Sequence, residues 1–148
     1  MKKRILTFLM TMVLLLPTLC VAEEAEESTP APTAIPYAGY VYVLCGEQYR
    51  WYPLPLEDQE EYEINVRQTG EDGTEYVNTI HFTHDGVYMA YSTCENQDCV
   101  NEGLVTLTNK DERVLGSWIV CLPQQVSLQL YTADELMALL AEQTGVQE

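Results

Sequence analysis

Short apolar runs, interrupted by turn signals, constrain the fold of this chain more than any other feature. The run 61–68 alternates cleanly, so that Tyr62, Ile64 and Val66 share one side and mostly charged or polar residues share the other. That period of two is typical of a β-strand with one buried face. The sequence HDG at 84–86 separates two further runs and favours a hairpin turn between them.

Eight runs of this kind predict a small antiparallel domain over residues 37–131, of the β-barrel or sandwich-like class. The runs are rich in Val, Ile and Tyr, which favour extended structure. The eight predicted strands are 40–46, 47–53, 61–68, 75–83, 87–92, 104–108, 114–123 and 126–131.

Residues 132–148 follow a helical pattern instead and are predicted to form a C-terminal helix and tail. Thr132 with Glu135 three residues later is a capping box, and Gly145 suits the end of a helix. The predicted fold class is therefore all-β with one C-terminal α-helix. We expect the helix to cover an open end or edge of the β-domain. Its buried face is predicted to consist of Leu136, Leu139 and Leu140.

Residues 1–22 have the layout of a secretory signal peptide. A basic start precedes an uncharged, mostly apolar run over 5–16, and Cys20-Val21-Ala22 supplies small residues for a cleavage site. We therefore expect a secreted or extracytoplasmic protein. Two alternatives would tether it to the membrane: an uncleaved signal, or a lipid on Cys20. Residues 23–36 contain four Glu and three Pro, and they are predicted to be an acidic, Pro-rich linker.

The net charge is strongly negative and limits the class of partner. The full chain carries 7 basic and 23 acidic side chains, a net charge of −16. The predicted signal peptide contains three of the basic residues and no acidic residue, so its removal leaves −19. Such a surface repels phosphate backbones, and no nucleic-acid binding is expected. An unknown protein partner, at the membrane or away from it, and loosely held divalent cations remain compatible with this charge.

Four cysteines remain after the predicted cleavage, namely Cys45, Cys94, Cys99 and Cys121. An even number of cysteines in an exported chain favours structural disulfides, although the sequence does not choose among the three pairings. A redox-active pair and a metal site are the alternatives. Neither is preferred, because acidic residues surround the Cys94 and Cys99 segment and are expected to raise the thiol pKa. The acidic neighbours are Glu95, Asp98 and Glu102.

No motif of a known catalytic type is present, and no enzymatic activity, catalytic residue, metal ligand or cofactor is predicted. The chain contains no nucleophile elbow, phosphate loop or HExxH sequence. His81 and His84 lie three residues apart and would point to opposite faces of a strand. We therefore expect the two histidines to have a surface role rather than to bind a metal ion together.

Two stretches resemble the NusG domain II family: GVYMAYSTCENQDCVNEG at 86–103 and GSWIVCLPQQVSLQLY at 116–131. The family motif combines a Cys-x4-Cys-x3-Gly segment after a hairpin with a strand that ends in Ile-Val-Cys-Leu-Pro. The residues of this chain on motif positions are Cys94, Cys99, Gly103, Cys121 and Pro123. The resemblance covers roughly 39–131 and implies a small β-barrel-like fold.

The resemblance implies little about activity. Exported, stand-alone members of the family exist, and some lie beside extracytoplasmic flavin or quinone electron-transfer proteins. This chain departs from the family pattern at Glu95, where proline is expected, at the additional Cys45, and in its terminal helix. Neither a NusG N-terminal domain nor a KOW module is visible in the sequence, so transcription elongation is not inferred.

Two interpretations of function follow from these patterns. The first is an exported, non-enzymatic binding or accessory domain, stabilised by disulfides, whose most distinctive surface is formed by residues 94–103 and Cys121. The alternative is an extracytoplasmic thiol–disulfide or electron-transfer accessory protein that uses Cys94, Cys99 and Cys121.

The predicted signal peptide leads to a direct test. We expect the exported protein to begin at Glu23, because small residues occupy the positions before that bond. N-terminal sequencing and intact mass measurement of the exported form check this expectation. Retention of Met1, or a lipid attached to Cys20, would show that the protein is tethered instead.

Overall fold

Eight antiparallel strands form two sheets in the computed structural model, which describes residues 36–145. The predicted signal peptide and the linker before Pro36 lie outside the described residues. The strands are β1 Gly39–Cys45, β2 Gln48–Pro53, β3 Tyr62–Thr69, β4 Glu75–Phe82, β5 Gly86–Ser92, β6 Val105–Thr106, β7 Trp118–Cys121 and β8 Val126–Thr132.

Each sheet has four strands, in the order β2-β1-β8-β7 for the first and β3-β4-β5-β6 for the second. Neither sheet closes into a barrel, and their side chains meet in one shared core. The all-β, sandwich-like prediction is confirmed, together with the C-terminal helix. Within residues 36–145, two α-helices accompany the sheets, α1 Asp98–Asn101 and α2 Ala133–Thr144.

Alternation along the strands builds this core. In β1 and β8 every second residue is buried, and the register places Val41 opposite Leu130 and Val43 opposite Leu128. Each such pair removes apolar surface from water on the inner face of the sheet. The largest fully buried apolar side chains are Phe82, Leu54, Ile80, Met89, Ile119, Leu128 and Leu130.

Two predicted strands are much shorter than expected. The run 104–108 forms only β6, because Asn109 Oδ1 accepts from the backbone N–H of Thr106, and Thr106 Oγ1 accepts from that of Asn109. These side-chain bonds replace the ladder and turn the chain. In the run 114–123 only β7 is extended. A turn over 113–116 precedes it, with Gly116 at a φ of +59°, and a 3-10 helix over Leu122–Gln124 follows it.

The terminal helix begins as predicted, but it lies on a face rather than an edge. Thr132 and Glu135 form the reciprocal capping box, and Gly145 closes the helix in a left-handed conformation. Helix α2 packs on β8 and β1, the central strands of their sheet. Only Leu136 of the predicted stripe is buried, whereas Leu139 is half-buried and Leu140 is 43% exposed. Among the described residues, no helix is long and apolar enough to span a bilayer.

A buried cation anchors this helix to the rest of the domain. The Lys110 side chain is almost fully buried and donates from Nζ to Glu135, while Asp111 lies 3.8 Å away at the surface. Burial raises the pKa of Glu135, but the hydrogen bonds from Lys110 and Thr132 outweigh it and the net pKa is lowered. The helix start and the loop after β6 are therefore joined by a charge-assisted bond.

Removing the charge of Glu135 should destabilise the domain. We expect Glu135→Gln to lower the free energy of unfolding by about 1–3 kcal/mol, because a buried ammonium group loses its nearest carboxylate. The pKa of Glu135 is lower in the folded state than in the unfolded state. Its charge therefore stabilises the fold above the unfolded pKa of about 4.3, and this stabilisation is lost as the pH falls through the folded pKa.

Urea unfolding at neutral and acidic pH measures both effects. Glu142→Gln is the control, since Glu142 is exposed on the same helix. Equal stabilities for the two variants at neutral pH would contradict the anchoring role.

Candidate thiol cluster

Three cysteines meet at one end of the core, and we call Cys94, Cys99 and Cys121 the thiol cluster. Their sulfur atoms all lie within 4.8 Å of one another, and the Sγ atoms of Cys94 and Cys99 are 3.6 Å apart. The side chains are buried, with exposed fractions of 5%, 1% and 1%. Among the described residues, they form the one set of three Cys, His, Asp or Glu side chains that converges closely enough to hold a metal ion.

A tight turn after β5 brings Cys94 and Cys99 together. The Cys94 backbone N–H donates to Ser92 Oγ at 3.2 Å, and Gln97 adopts a left-handed conformation at the start of α1. The Gln97 side chain donates to the carbonyl oxygens of Ser92 and Cys94, and these two hydrogen bonds stabilise the turn. Helix α1 was not predicted from the sequence. It directs Cys99 back toward Cys94.

The motif residues Gly103 and Pro123 are explained by the chain path around the cluster. Gly103 follows α1 with a φ of +69°, a conformation that other residues rarely adopt. Pro123 lies in the first turn of the 3-10 helix that follows Cys121, where a missing N–H costs nothing. Gly103 therefore allows the chain to change direction after the helix that contains Cys99, and Pro123 does so after Cys121.

A buried polar network supports the cluster from behind. Ser92 Oγ donates to Asn78 Oδ1 at 2.8 Å, and Asn78 Nδ2 donates to Gln124 Oε1 at 2.5 Å. Gln124 Nε2 donates in turn to Thr93 Oγ1 at 2.8 Å. The Cys121 Sγ atom lies 3.8 Å from Ser92 Oγ. This network links β4 and β5 to the segment after β7, and it was missed from the sequence.

The three thiols differ in acidity because their surroundings differ. Burial raises the pKa of Cys99 to about 12, and the neighbouring thiols add to the increase. Burial also raises the pKa of Cys94, but hydrogen bonds from Cys99 and the Gln97 backbone favour its thiolate, and the net pKa is lowered. No acidic side chain is among the causes of either shift, so the expectation that nearby acids raise the thiol pKa stays a prediction.

Cys45 lies apart from the cluster. The register places both Cys45 and Cys121 opposite Val126, on the two sides of β8. Two strand spacings separate them, about 10 Å, which is beyond the Cα separation that a disulfide spans. No sulfur pair among the described residues lies at the roughly 2 Å of a disulfide bond. The disulfide prediction therefore stays a prediction, and Cys94 with Cys99 is the nearest pair.

Two surface clefts give access to the cluster. The first, which we call the thiol cleft, has a volume of about 290 Å³. It is lined by Asn96, Asp98, Cys99, Glu102, Leu115, Val120, Cys121, Leu122 and Pro123. The second reaches Cys94 and has a volume of about 370 Å³. Asn96 and Pro123 line both clefts, so they form the wall between them.

Glu102 lines the thiol cleft, and Arg113 donates a hydrogen bond to its backbone. Burial raises the pKa of Glu102, whereas the Val120 backbone N–H, 3.3 Å from its carboxylate, and the charge of Arg113 oppose the increase. Arg113 donates to the carbonyl oxygens of Glu102, Gly116 and Trp118 at 2.9–3.0 Å. One guanidinium group thus ties the end of α1 to the loop before β7.

The two histidines share a carboxylate instead of facing apart. His81 Nε2 lies 3.1 Å from Glu61 Oε2, and His84 Nδ1 lies 3.3 Å from Glu61 Oε1. The other ring nitrogen of His81 is 3.1 Å from Glu63. Burial lowers the pKa of His81, but hydrogen bonds to Glu61 and Glu63 outweigh it and raise the net pKa. These four side chains contact one another in series and do not converge on one point, as the ligands of a metal ion would. The surface role of the two histidines stays a prediction.

Comparison with known proteins identifies a family and a similar fold. The family model described as NusG domain II matches residues 6–134. The solution structure of the Lin0431 protein from Listeria innocua is 15% identical, with a TM-score of 0.51 over 66% of this chain and 75% of that chain. A DUF1312 family protein from Enterococcus faecalis is 16% identical, with a TM-score of 0.49 over 65% and 99%.

The Lin0431 structure shares the fold of this chain, and at 15% identity it shows nothing more than the fold. No curated protein matches the sequence. The family match spans most of the chain and includes every residue of the thiol cluster. The chain therefore belongs to the NusG domain II family.

Proposed function

We propose that the chain is an exported, non-enzymatic accessory domain that binds a protein partner through the thiol cleft. The observation that carries this proposal is the exposure of large apolar side chains beside the cleft. Leu122 is 79% exposed and Leu115 is 45% exposed, and both line the cleft. Exposed apolar side chains grouped beside a cleft are typical of interaction surfaces.

The segment before the cleft extends the apolar surface. Val114 is fully exposed and Trp118 is 37% exposed, and both lie on the segment that Arg113 holds in place. A backbone segment that is already held in place loses little conformational entropy when it binds. The segment is thus organised before a partner arrives.

Charge defines the chemistry of the partner. Asp98 and Glu102 line the thiol cleft next to its apolar side chains. The predicted mature chain carries a net charge of −19. A partner segment that combines apolar and basic side chains would complement this surface and be steered toward it.

A disulfide between Cys94 and Cys99 would restrain the turn that forms one wall of the thiol cleft. Their sulfur atoms are 3.6 Å apart, and the turn between them carries Asn96 and Asp98, which line the cleft. A ring of this size contributes about 2 kcal/mol in the chain-entropy model. The exported location predicted from the sequence would favour the oxidised form.

Site-specific photo-crosslinking tests partner binding. We expect a photoreactive residue at Leu122 to form a defined covalent adduct in intact cells. The same residue at Tyr49, which is 61% exposed on β2 at the opposite edge of the sheet, should not form this adduct. Leu122→Asp should lower retention of the identified partner at least tenfold, or about 1.4 kcal/mol, without changing the melting curve. Identical adducts at both positions, or none at Leu122 in exported protein, would contradict the proposal.

A second candidate function is thiol–disulfide exchange, which the 3.6 Å separation of the Cys94 and Cys99 sulfur atoms favours. In this reaction the Cys94 thiolate attacks one sulfur of a partner disulfide, and the other partner sulfur leaves as a thiolate. Cys99 then loses its proton to solvent and attacks the mixed disulfide, which releases the second partner thiolate. The pair loses the two electrons that the partner gains.

Alkylation rates measure whether the thiols suit this reaction. In the reduced protein we expect iodoacetamide to modify Cys94 before Cys99, because the thiolate is the nucleophile and the pKa of Cys94 is the lower. Short pulses at increasing pH, followed by peptide mass spectrometry, determine both rates. The Cys45→Ser variant removes the partly exposed fourth thiol. Modification of Cys99 first, or at the same rate, would contradict the expected order and remove the support for exchange.

A further inference from the structure

We infer that the reduced thiol cluster is a binding site for a soft monovalent metal ion, Cu(I). Its three sulfur atoms come from separate segments, namely the turn after β5, α1 and the end of β7. All three are within 4.8 Å of one another, and the closest pair is 3.6 Å apart. Metal–sulfur bonds of about 2.3 Å place sulfurs at the corners of a triangle with edges of about 4 Å. The cluster therefore has the dimensions of a three-thiolate site.

The size of the cluster fits an ion better than it fits a sulfur–sulfur bond. A disulfide would bring one pair to about 2 Å and leave the third thiol buried beside it. An ion at the centre would use all three sulfurs with small movements. This accounts for the position of Cys121, which a disulfide between Cys94 and Cys99 leaves unexplained.

The number and type of ligands select the ion. Thiolates are soft ligands that favour Cu(I) and Zn²⁺ over harder cations. Structural Zn²⁺ takes four ligands, and no fourth Cys, His, Asp or Glu among the described residues joins the three sulfurs. Ser92 Oγ lies 3.8 Å from Cys121 Sγ, but its proton is donated to Asn78. Cu(I) accepts three thiolates without a fourth ligand.

The surroundings suit an ion that must be protected from water. The three side chains are at most 5% exposed, and the Asn78 network fixes the position of Ser92 behind them. The thiol cleft gives an entry route to Cys99 and Cys121, and its carboxylates attract cations. The Gln97 side chain, 3.9 Å from Cys94 Sγ, supports the remaining ligand.

Binding involves protons but no change of oxidation state. Each thiol that coordinates the ion releases one proton to solvent, so three protons leave when Cu(I) binds to all three. Affinity for the ion is therefore expected to increase with pH. A disulfide between Cys94 and Cys99 removes two of the ligands, so oxidation and metal binding exclude each other. The inference does not depend on partner binding at the thiol cleft.

Titration of the reduced chain with Cu(I) under nitrogen tests the site, with bicinchoninate as the competing chelator. We expect one Cu(I) per chain, with the same affinity in Cys45→Ser, because Cys45 lies outside the cluster. Cys121→Ser should weaken binding by more than about 100-fold, since a lost ligand costs more than a lost supporting contact. Failure to hold Cu(I) against the chelator, or equal affinity in Cys121→Ser, would overturn the inference.

Two measurements on the unmodified chain test the three-thiolate site without depending on whether a variant folds. Bound Cu(I) should protect Cys94, Cys99 and Cys121 from alkylation while Cys45 remains reactive. X-ray absorption should show three sulfur neighbours at about 2.3 Å. Two sulfur neighbours, or unprotected Cys121, would overturn the three-thiolate site, and stoichiometric displacement of Cu(I) by Zn²⁺ would overturn the choice of ion.

Discussion

Asn78 and Gln124 connect the two sheets through side-chain amides that are buried from water. Ser92 and Thr93 complete the network, and Gln68 of β3 donates to the Gln124 carbonyl oxygen at 2.8 Å. A buried amide that loses its partner costs about 1–3 kcal/mol, so the network stabilises one relative position of the sheets. Among the described residues, every buried side-chain nitrogen and oxygen has a partner.

The thiol cluster depends on this arrangement. Cys94 follows a strand of one sheet and Cys121 ends a strand of the other, so their sulfurs meet only when the sheets are correctly placed. Ser92 belongs to the polar network and also lies beside the sulfurs of the cluster. A disulfide, an exchange reaction and a bound metal ion would use the same sulfurs, and the oxidation state of the pair determines which is available.

Local physical rules were sufficient to predict most of the strands and the terminal helix from the sequence, but not α1 or the short lengths of β6 and β7. Alternating burial in β3 follows from the period of two in 61–68, because successive side chains point to opposite faces. The reciprocal bonds of Thr132 and Glu135 follow from their spacing at a helix start. The Cys-x4-Cys and Ile-Val-Cys-Leu-Pro segments indicated the family, which the match to residues 6–134 confirms. Each of these features depends on neighbours a few residues away in the chain.

Contacts between distant segments were decided only by the tertiary structure. Asn78 interrupts the buried, otherwise apolar side of β4, and this irregularity is a sequence signal for the polar network. Its partner Gln124 lies 46 residues away, so the sequence does not identify the pair. The approach of Cys121 to the other two thiols, and the separation of Cys45 from them, follow from strand order and register. Strand order depends on how the sheets bury their apolar faces together, and a pattern of single residues does not specify it. The sequence thus determined which segments contain strands and which cysteines belong to the motif, whereas the packing of the two sheets decided which sulfurs meet.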